Sequence, residues 1–154
     1  MAHYYRRSPF RYGSRITTHY SANHWALDLA PRNDDDGYIF AIECGVVTDM
    51  VTGQGPNDAP PNLIIVCGVD GALTVYAHID PAPDIYYAIV GWPVDQGDCI
   101  GKVDLSGEST GRHVHLVRLP AGLGTVDDIQ SRVEDKAVFF TISTSSWPQG
   151  ELPW

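Results

Sequence analysis

The feature that most constrains the fold of this chain is a series of short apolar runs rich in β-branched and aromatic residues. These runs occupy residues 38–42, 63–67, 72–76, 113–117 and 137–142, and clusters of Gly, Pro, Asp and Asn separate them. Runs of this length are typical of strands, and frequent turns between them favour antiparallel pairing. The sequence therefore predicts a mainly β fold, with an antiparallel sheet or a sandwich-like single domain.

Two local signals add detail to this prediction. The runs 63–67 and 72–76 flank an Asp70-Gly71 turn, and an Asp-Gly pair between two strands predicts a β-hairpin. Near the C-terminus, Thr125 can cap a short helix. The apolar residues of that segment fall at helical spacing, at Val126, Ile129 and Val133. We therefore expect one short helix near the C-terminus.

Length and charge limit the class of protein. A chain of 154 residues is long enough for one domain with a real core. Its net charge of −9 argues against a specific nucleic-acid binder, which needs a basic face. No apolar run approaches the ~20 residues of a membrane span. Residues 1–15 hold four of the ten basic residues, which predicts a basic N-terminal arm before a single domain over 16–154. That arm either contacts an anionic partner or is a solvated terminus.

The cysteines indicate neither a disulfide framework nor a thiolate metal site. Only three are present, at Cys44, Cys67 and Cys99, and no Cys-x-x-Cys motif occurs. Buried free thiols are one interpretation and a single disulfide is another. The cysteines therefore leave the compartment open.

The histidines offer the clearest chemistry. In a strand, His113 and His115 point to the same face, ~6–7 Å apart along the chain, while Val114 points into the core. Two imidazoles then overhang one spot, where one can bind a metal and the other can reach its water or the substrate. The alternative is a pair of surface histidines without a ligand.

Two further segments carry residues of the same chemistry. His24 and Asp28 are both good zinc ligands, but an extended chain would hold their Cα atoms ~13 Å apart, so a shared ion requires a bend. His78 ends an apolar strand just before a proline loop, where side chains often point into clefts. Taken singly, each segment has a simpler interpretation. His24 and Asp28 can be a surface histidine and an unrelated aspartate, and His78 can be a histidine of the core or its rim.

In combination and in this order, the segments resemble the lysostaphin-type (LytM-like) zinc endopeptidases, which cut peptidoglycan peptides. That family has a His-x-x-x-Asp near its start, a Tyr-x-His-Leu-like segment midway and a Ser-Thr-Gly-Pro-His-Leu-His-Phe-like segment near its end. The corresponding segments here are His24-Trp-Ala-Leu-Asp28, Tyr76-Ala-His78-Ile79 and Ser109-Thr-Gly-Arg-His-Val-His-Leu116. Residues 16–18, 41–47 and 94–101 resemble the scaffold of the family, so the likeness covers about residues 16–119.

Carried over residue by residue, the resemblance implies that His24, Asp28 and His115 hold one Zn²⁺ ion and that His78 and His113 are the catalytic pair. Two histidines and one carboxylate leave a fourth zinc position open, which is the pattern of catalytic sites. Arg112 departs from the pattern, because the family usually has proline there. This departure changes the rigidity of the turn and puts a cation beside the site.

The implied function is zinc-dependent hydrolysis of peptide cross-links or stem peptides in bacterial cell-wall peptidoglycan. The location is then extracellular, periplasmic or wall-associated, in a bacterium or borne by a phage, although the sequence shows no secretory signal. The alternative is a catalytically silent module of the same fold that binds wall peptides, regulates a partner or serves virion assembly. Such members usually lose a ligand or a catalytic histidine, and none is missing here.

The loops provide candidate walls for a substrate groove. Connections at 31–38, 52–62 and 81–93 are long enough for this purpose. Aromatic residues of the last connection either cover the peptide or pack the loop down, and these are Tyr86, Tyr87 and Trp92. The acidic segment 32–37 is either a calcium loop or a solvated one.

Overall fold

The computed structural model describes residues 8–18, 26–32, 35–58, 60–80, 89–107 and 109–119. Within these ranges the chain forms ten strands and no helix. In chain order they are β1 (Ser14–Thr18), β2 (Leu27–Pro31), β3 (Tyr38–Phe40), β4 (Gly45–Val51), β5 (Leu63–Gly68), β6 (Leu73–Ala77), β7 (Ile79–Asp80), β8 (Pro93–Val94), β9 (Cys99–Val103) and β10 (Val114–Leu119). The predicted helix at 125–133 and the predicted strand at 137–142 lie outside the described residues.

The strands form two antiparallel sheets. The larger has seven strands in the order β1-β2-β10-β6-β5-β4-β8, and the smaller has three in the order β3-β9-β7. Every strand pair in the described ranges is antiparallel. The predicted hairpin is β5 and β6, paired from Leu63 opposite Ala77 to Cys67 opposite Leu73. The mainly β, antiparallel prediction is confirmed.

The central strands of the large sheet are buried on both faces. Alternate residues such as Val66, Tyr76 and Leu116 share one cluster with Ile39 and Ile100 of the small sheet. The residues between them form a second cluster on the opposite face, made of Ala26, Leu63, Ile65, Leu73, Val75, Ala77 and Val117. Each fully buried aliphatic side chain contributes roughly 1.5–3 kcal/mol. Burial on both faces explains why β5 is a continuous apolar run instead of an alternating one.

The segment around Gly45 differs from a local strand–turn–strand unit. β3 pairs with β9 in the small sheet, whereas β4 pairs with β5 and β8 in the large one. Residues 41–44 therefore carry the chain between sheets, and Gly45 is the first residue of β4. A side chain at Gly45 would collide with the carbonyl oxygen of Cys67. The glycine is needed for close strand approach, not for a hairpin turn.

The described part of the predicted N-terminal arm packs on the domain. Phe10 is 1% exposed and belongs to the core between the sheets. The Phe40 amide donates to the carbonyl of Pro9 at 2.8 Å, and the Arg11 guanidinium lies 3.4 Å from Asp36. The chain therefore enters β1 from a fixed position, and residues 1–7 lie outside the described ranges.

Candidate functional site

The pairing register of three neighbouring strands builds the floor of the site. On β10, His115 lies opposite Asp28 of β2 on one side and opposite Ala77 of β6 on the other. Residues directly opposite in antiparallel strands share a face, with Cβ atoms about 4.5–5.5 Å apart. Because Val114 and Leu116 are buried in the core, His115 projects from the other face of the sheet. That orientation is as predicted from strand alternation.

The carboxylate of Asp28 lies close to both His115 of β10 and His113, the residue just before that strand. Its Oδ1 atom is 2.9 Å from Nδ1 of His115 and 3.9 Å from Nε2 of His113. The side chains of Asp28 and His113 are mostly buried, at 13% and 15% exposed, while His115 is at 28%. Partial burial strengthens the attraction between these groups compared with an exposed pair.

His78 reaches the same cluster by a different route. In a regular strand, the residue after Ala77 would point to the opposite face of the sheet. His78 instead has a φ of 60°, in the left-handed region that non-glycine residues rarely adopt. This conformation interrupts the chain between β6 and β7, so the alternation stops there. The centroid of the His78 ring then lies 4.8 Å from that of His113 and 5.9 Å from that of His115.

The hydrogen bonds of two histidines define where their protons are. Nδ1 of His78 lies 2.6 Å from the carbonyl oxygen of Ser106, and Nδ1 of His113 lies 2.9 Å from that of Gly111. A carbonyl oxygen only accepts hydrogen bonds, so each Nδ1 carries a proton. In the neutral rings, both Nε2 atoms therefore keep a lone pair that can accept a proton.

Burial also acts on the charge of His78, which is 7% exposed. Desolvation lowers the pKa of His78 below its ordinary value; the hydrogen bond to Ser106 opposes the shift, and the neighbouring His113 and His115 add to it. The ring is therefore neutral at pH 7. The site thus contains a buried neutral base beside a carboxylate and two further imidazoles.

The donor atoms of Asp28 and His115 fit a zinc ion. Carboxylate oxygen and imidazole nitrogen are both zinc donors, and two ligands of one tetrahedral ion lie about 3.3 Å apart. Oδ1 of Asp28 and Nδ1 of His115 are already 2.9 Å apart. His24, the third predicted ligand, lies outside the described residues. Within the described ranges, no three His, Cys, Asp or Glu side chains form a metal-binding group.

Other predicted features do not join the cluster. Trp92 is 54% exposed and lies beside the start of β4, where its carbonyl accepts from the Val47 amide. Trp92 is separated from the histidines by three strand spacings across the sheet, which is about 14 Å. The separation along the strands is of comparable size. Tyr86 and Tyr87 lie outside the described residues. The aromatic wall proposed for this loop therefore has no described residue at the histidines.

Within the acidic segment, Asp35 is buried and bound by the protein, whereas Asp36 is exposed. Asp35 is 4% exposed, and its carboxylate accepts from the amides of Gly37 at 2.8 Å and Tyr12 at 3.3 Å. The Arg112 guanidinium donates to the Asp35 carbonyl at 3.5 Å, and it fills the space where a Gly37 side chain would be. Arg112 thus ties the acidic segment to the turn that precedes His113, and residues 33–34 lie outside the described ranges.

Sequence reasoning missed the residues that surround His78. Asn62, Asp104 and Ser106 are hydrogen-bonded to one another. The first two also bind the backbone of His78, and the carbonyl of Ser106 binds its ring. They come from two loops that are 42 residues apart in sequence. No local spacing links an asparagine before β5 to a turn after β9, so only the tertiary structure reveals them.

All three cysteines are free thiols in the structure. Cys44 is exposed, whereas Cys67 and Cys99 are partly buried, and burial raises the pKa of the Cys99 thiol. None of them contacts the histidine cluster through a described hydrogen bond.

The described part of the chain also has no helix of the length and apolar character needed to cross a membrane.

The fold recurs in solved structures. The catalytic domain of the prophage-encoded M23 protein EnpA from Enterococcus faecalis, in a mutant form, is 23% identical with a TM-score of 0.58, covering 75% of this chain and 88% of that one. The catalytic domain of lysostaphin from Staphylococcus simulans is 23% identical with a TM-score of 0.51, covering 71% and 80%. A zinc-containing peptidase from Vibrio cholerae is 20% identical with a TM-score of 0.58, covering 74% of this chain and 36% of that one.

The sequence match is to the model of peptidase family M23, over residues 22–123. This span contains the strands that carry Asp28 and His115, and it contains His113 just before β10 and His78 just after β6. The resemblance noted from the motifs and the match to the family model therefore concern the same part of the chain. The protein belongs to peptidase family M23.

Proposed function

We propose that this chain is a zinc-dependent endopeptidase that hydrolyses peptide cross-links or stem peptides of bacterial peptidoglycan. The observation that carries the proposal is the convergence of Asp28, His115, His113 and His78 at one place on the large sheet. These residues come from three separate parts of the sequence, and their chemistry matches that of a metal-assisted hydrolase. Membership of a peptidase family indicates that the bond hydrolysed is an amide.

Asp28 and His115, with His24, are the residues that would hold zinc. The short distance between Asp28 and His115 supports this assignment. A zinc ion would need a lone pair on His115 and an ionised Asp28, so zinc affinity should fall as the pH is lowered. When bound, zinc polarises a carbonyl and lowers the pKa of water towards ~7.

His78 and His113 would then handle protons and charge. Each ring has its Nδ1 proton engaged by a backbone carbonyl, so Nε2 is the atom available to the substrate. One ring accepts the proton of the attacking water and returns a proton to the leaving amine, which is general base and then general acid catalysis. The other, when it carries a proton on Nε2, donates a hydrogen bond to the developing oxyanion.

The orientation of the site also bears on the substrate. The cluster lies on the face of the large sheet opposite the small sheet, because Val114 and Leu116 point into the core between the sheets. A peptide bound on this face would lie beside Asp28, His113 and His115. Location outside the cytoplasm, at a wall in a bacterium or delivered by a phage, follows from the substrate and belongs to the same proposal.

The test separates metal binding from catalysis. Purified chain is stripped with a chelator and reloaded with zinc, and release of dye from labelled peptidoglycan is measured before and after. We expect activity to vanish with the chelator and to return with zinc. Mass spectrometry of the released fragments then names the bond that is cut.

Matched variants make the result specific. Asp28→Asn should lose both zinc and activity, whereas His78→Ala should lose activity and keep zinc. Asp36→Asn is the control. Asp36 forms an exposed ion pair with Arg11, and exposed pairs of this kind contribute little to stability. Zinc binding without cleavage of any wall peptide in the wild type would contradict the proposal and favour the silent-module interpretation.

A further inference from the structure

Three residues from two loops hold His78 in its unusual conformation. The Asn62 carbonyl accepts from the His78 amide at 3.0 Å, and the Asp104 amide donates to the His78 carbonyl at 2.9 Å. Both peptide groups of His78 are thus fixed by neighbours on opposite sides. A left-handed conformation in a non-glycine residue persists only when its surroundings determine it in this way.

The side chains of the same residues bind to one another. Asn62 Nδ2 donates to Oδ2 of Asp104 at 2.8 Å, while Oδ1 of Asp104 accepts from the Ser106 amide at 2.9 Å and from its hydroxyl at 2.6 Å. The backbone amide of Asn62 donates to the Ser106 hydroxyl oxygen at 3.0 Å. Asp104 is therefore the acceptor that joins the two loops, and both its oxygens are used.

This network ends on the His78 ring. Oδ1 of Asp104 binds both polar hydrogens of Ser106 and so fixes its backbone nitrogen and its side chain. The Ser106 carbonyl, in the next peptide group, accepts from His78 Nδ1 at 2.6 Å, and the amide of that same group, at Gly107, donates to the Gly55 carbonyl at 2.9 Å. Asn62 and Ser106 are 9% and 3% exposed, so water does not compete easily for these bonds. If the carbonyl turned away, a neutral His78 would be free to carry its proton on Nε2.

We propose that Asp104 is a positioning residue that fixes the His78 tautomer with its proton on Nδ1, acting through Ser106 and Asn62. The inference rests on the proposed function insofar as His78 acts on a substrate through Nε2. Asp104 itself touches none of the four residues of the cluster through its side chain in the described hydrogen bonds. Its effect on the reaction is therefore indirect.

The test compares two variants of opposite effect. In Asp104→Asn, the side-chain amide has one oxygen that can accept and one nitrogen that can only donate. It therefore cannot accept from both Ser106 and Asn62, and one of these two links is lost. In the double variant Asn62→Asp with Asp104→Asn, the new asparagine donates to the new aspartate. That exchange restores the bond between the loops without changing the net charge, and it loses only the donation from Asn62 Nδ2 to the Gln54 carbonyl at 3.3 Å.

The primary readout is the His78 tautomer, observed by ¹H–¹⁵N correlation of the imidazole nitrogens in metal-free and zinc-loaded protein. We expect Nδ1–H in the wild type and in the double variant, and an Nε2–H population in Asp104→Asn. In parallel, kcat of Asp104→Asn should fall roughly 10–100-fold with KM unchanged, the range seen when partners that orient functional histidines are removed. Asp98→Asn, in the exposed turn that precedes β9, is the control for loss of a turn aspartate.

Either of two results would overturn the proposal. One is an unchanged tautomer in folded Asp104→Asn, and the other is a shifted tautomer that the double variant fails to restore. If Asp104→Asn does not fold, Ser106→Ala removes the hydroxyl bonds alone and must shift the tautomer in the same direction. The nuclear magnetic resonance measurement needs no turnover. A wild type that cuts no substrate would therefore contradict the proposed function and still leave this test decisive.

Discussion

The two histidine-bearing segments of the site reach the same place by opposite means. His113 and His115 belong to a regular strand and the turn before it, and the pairing of His115 with Asp28 is part of the sheet ladder. His78 lies at a break between two strands, with a positive φ and contacts from two distant loops. One segment is positioned by backbone register, the other by a network of side chains.

This contrast indicates which half of the site is robust. A sheet register is maintained by many backbone hydrogen bonds, so single side-chain changes leave it in place. The position of His78 depends on a few buried polar groups, and each lost partner leaves another unsatisfied. We therefore expect metal binding to be sensitive only to the ligands themselves, and catalysis to be sensitive to residues well outside the cluster.

The largest expected effect is at the register-positioned half. Asp28→Asn removes the negative charge next to His115 and His113 and leaves a neutral amide oxygen, which is a much weaker zinc ligand than a carboxylate, so activity should fall below detection. Metal analysis by mass spectrometry should find one zinc per chain in the wild type and none in the variant. Retention of zinc by Asp28→Asn would remove Asp28 from the ligand set.

The next largest effect concerns His78 and His113, the proposed catalytic pair. His78→Ala and His113→Ala should each reduce kcat by roughly 10²–10⁴-fold, the contribution of a positioned acid or base. Both variants should bind zinc as the wild type does, since neither ring is among the proposed ligands. Full zinc-dependent cleavage by His113→Ala would show that His78 acts without it.

A smaller effect separates the two segments by backbone conformation. At His78, glycine adopts a positive φ without strain, so His78→Gly should be more stable than His78→Ala by roughly 1–2 kcal/mol. At His113, whose φ is not positive, the order should reverse by roughly 0.5–1 kcal/mol. Denaturant unfolding of the four variants measures both differences. Equal behaviour at the two positions would mean that His78 is not strained in solution.

The smallest expected effect is a pH dependence of stability. Burial lowers the pKa of His78 in the folded chain, so below its unfolded value of about 6.5 the unfolded state binds more protons than the folded one. The stability of metal-free protein should therefore decline as the pH falls below about 6.5, and His78→Ala should flatten that decline. A decline of the same slope in the variant would assign it to other groups.

Much of the fold and part of the site follow from the sequence alone. The Asp-Gly turn locates the β5–β6 hairpin, and alternation along β10 places Val114 in the core and His115 on the opposite face. Both features depend on residues close together in the chain. The histidine motifs likewise identify which residues to look for, because metal and acid–base chemistry restricts the residue types.

The remaining features depend on contacts that no spacing encodes. Strand alternation puts residue 78 on the wrong face, and only its left-handed conformation turns the ring towards His113. Asn62 and Asp104 read as ordinary loop residues until the sheets bring their loops together. The Arg112 departure from the family pattern is explained in the same way, by its contact with the acidic segment at Asp35 and Gly37.

The proposed function requires that Asp28, His115 and His24 share one ion beside His78 and His113. Anomalous diffraction from crystals of zinc-loaded protein, collected at the zinc absorption edge, tests it most directly. We predict a single strong peak bonded to Oδ1 of Asp28 and Nδ1 of His115, with His24 as the third protein ligand. A peak held by other residues, or a site that stays empty at saturating zinc, would contradict the account.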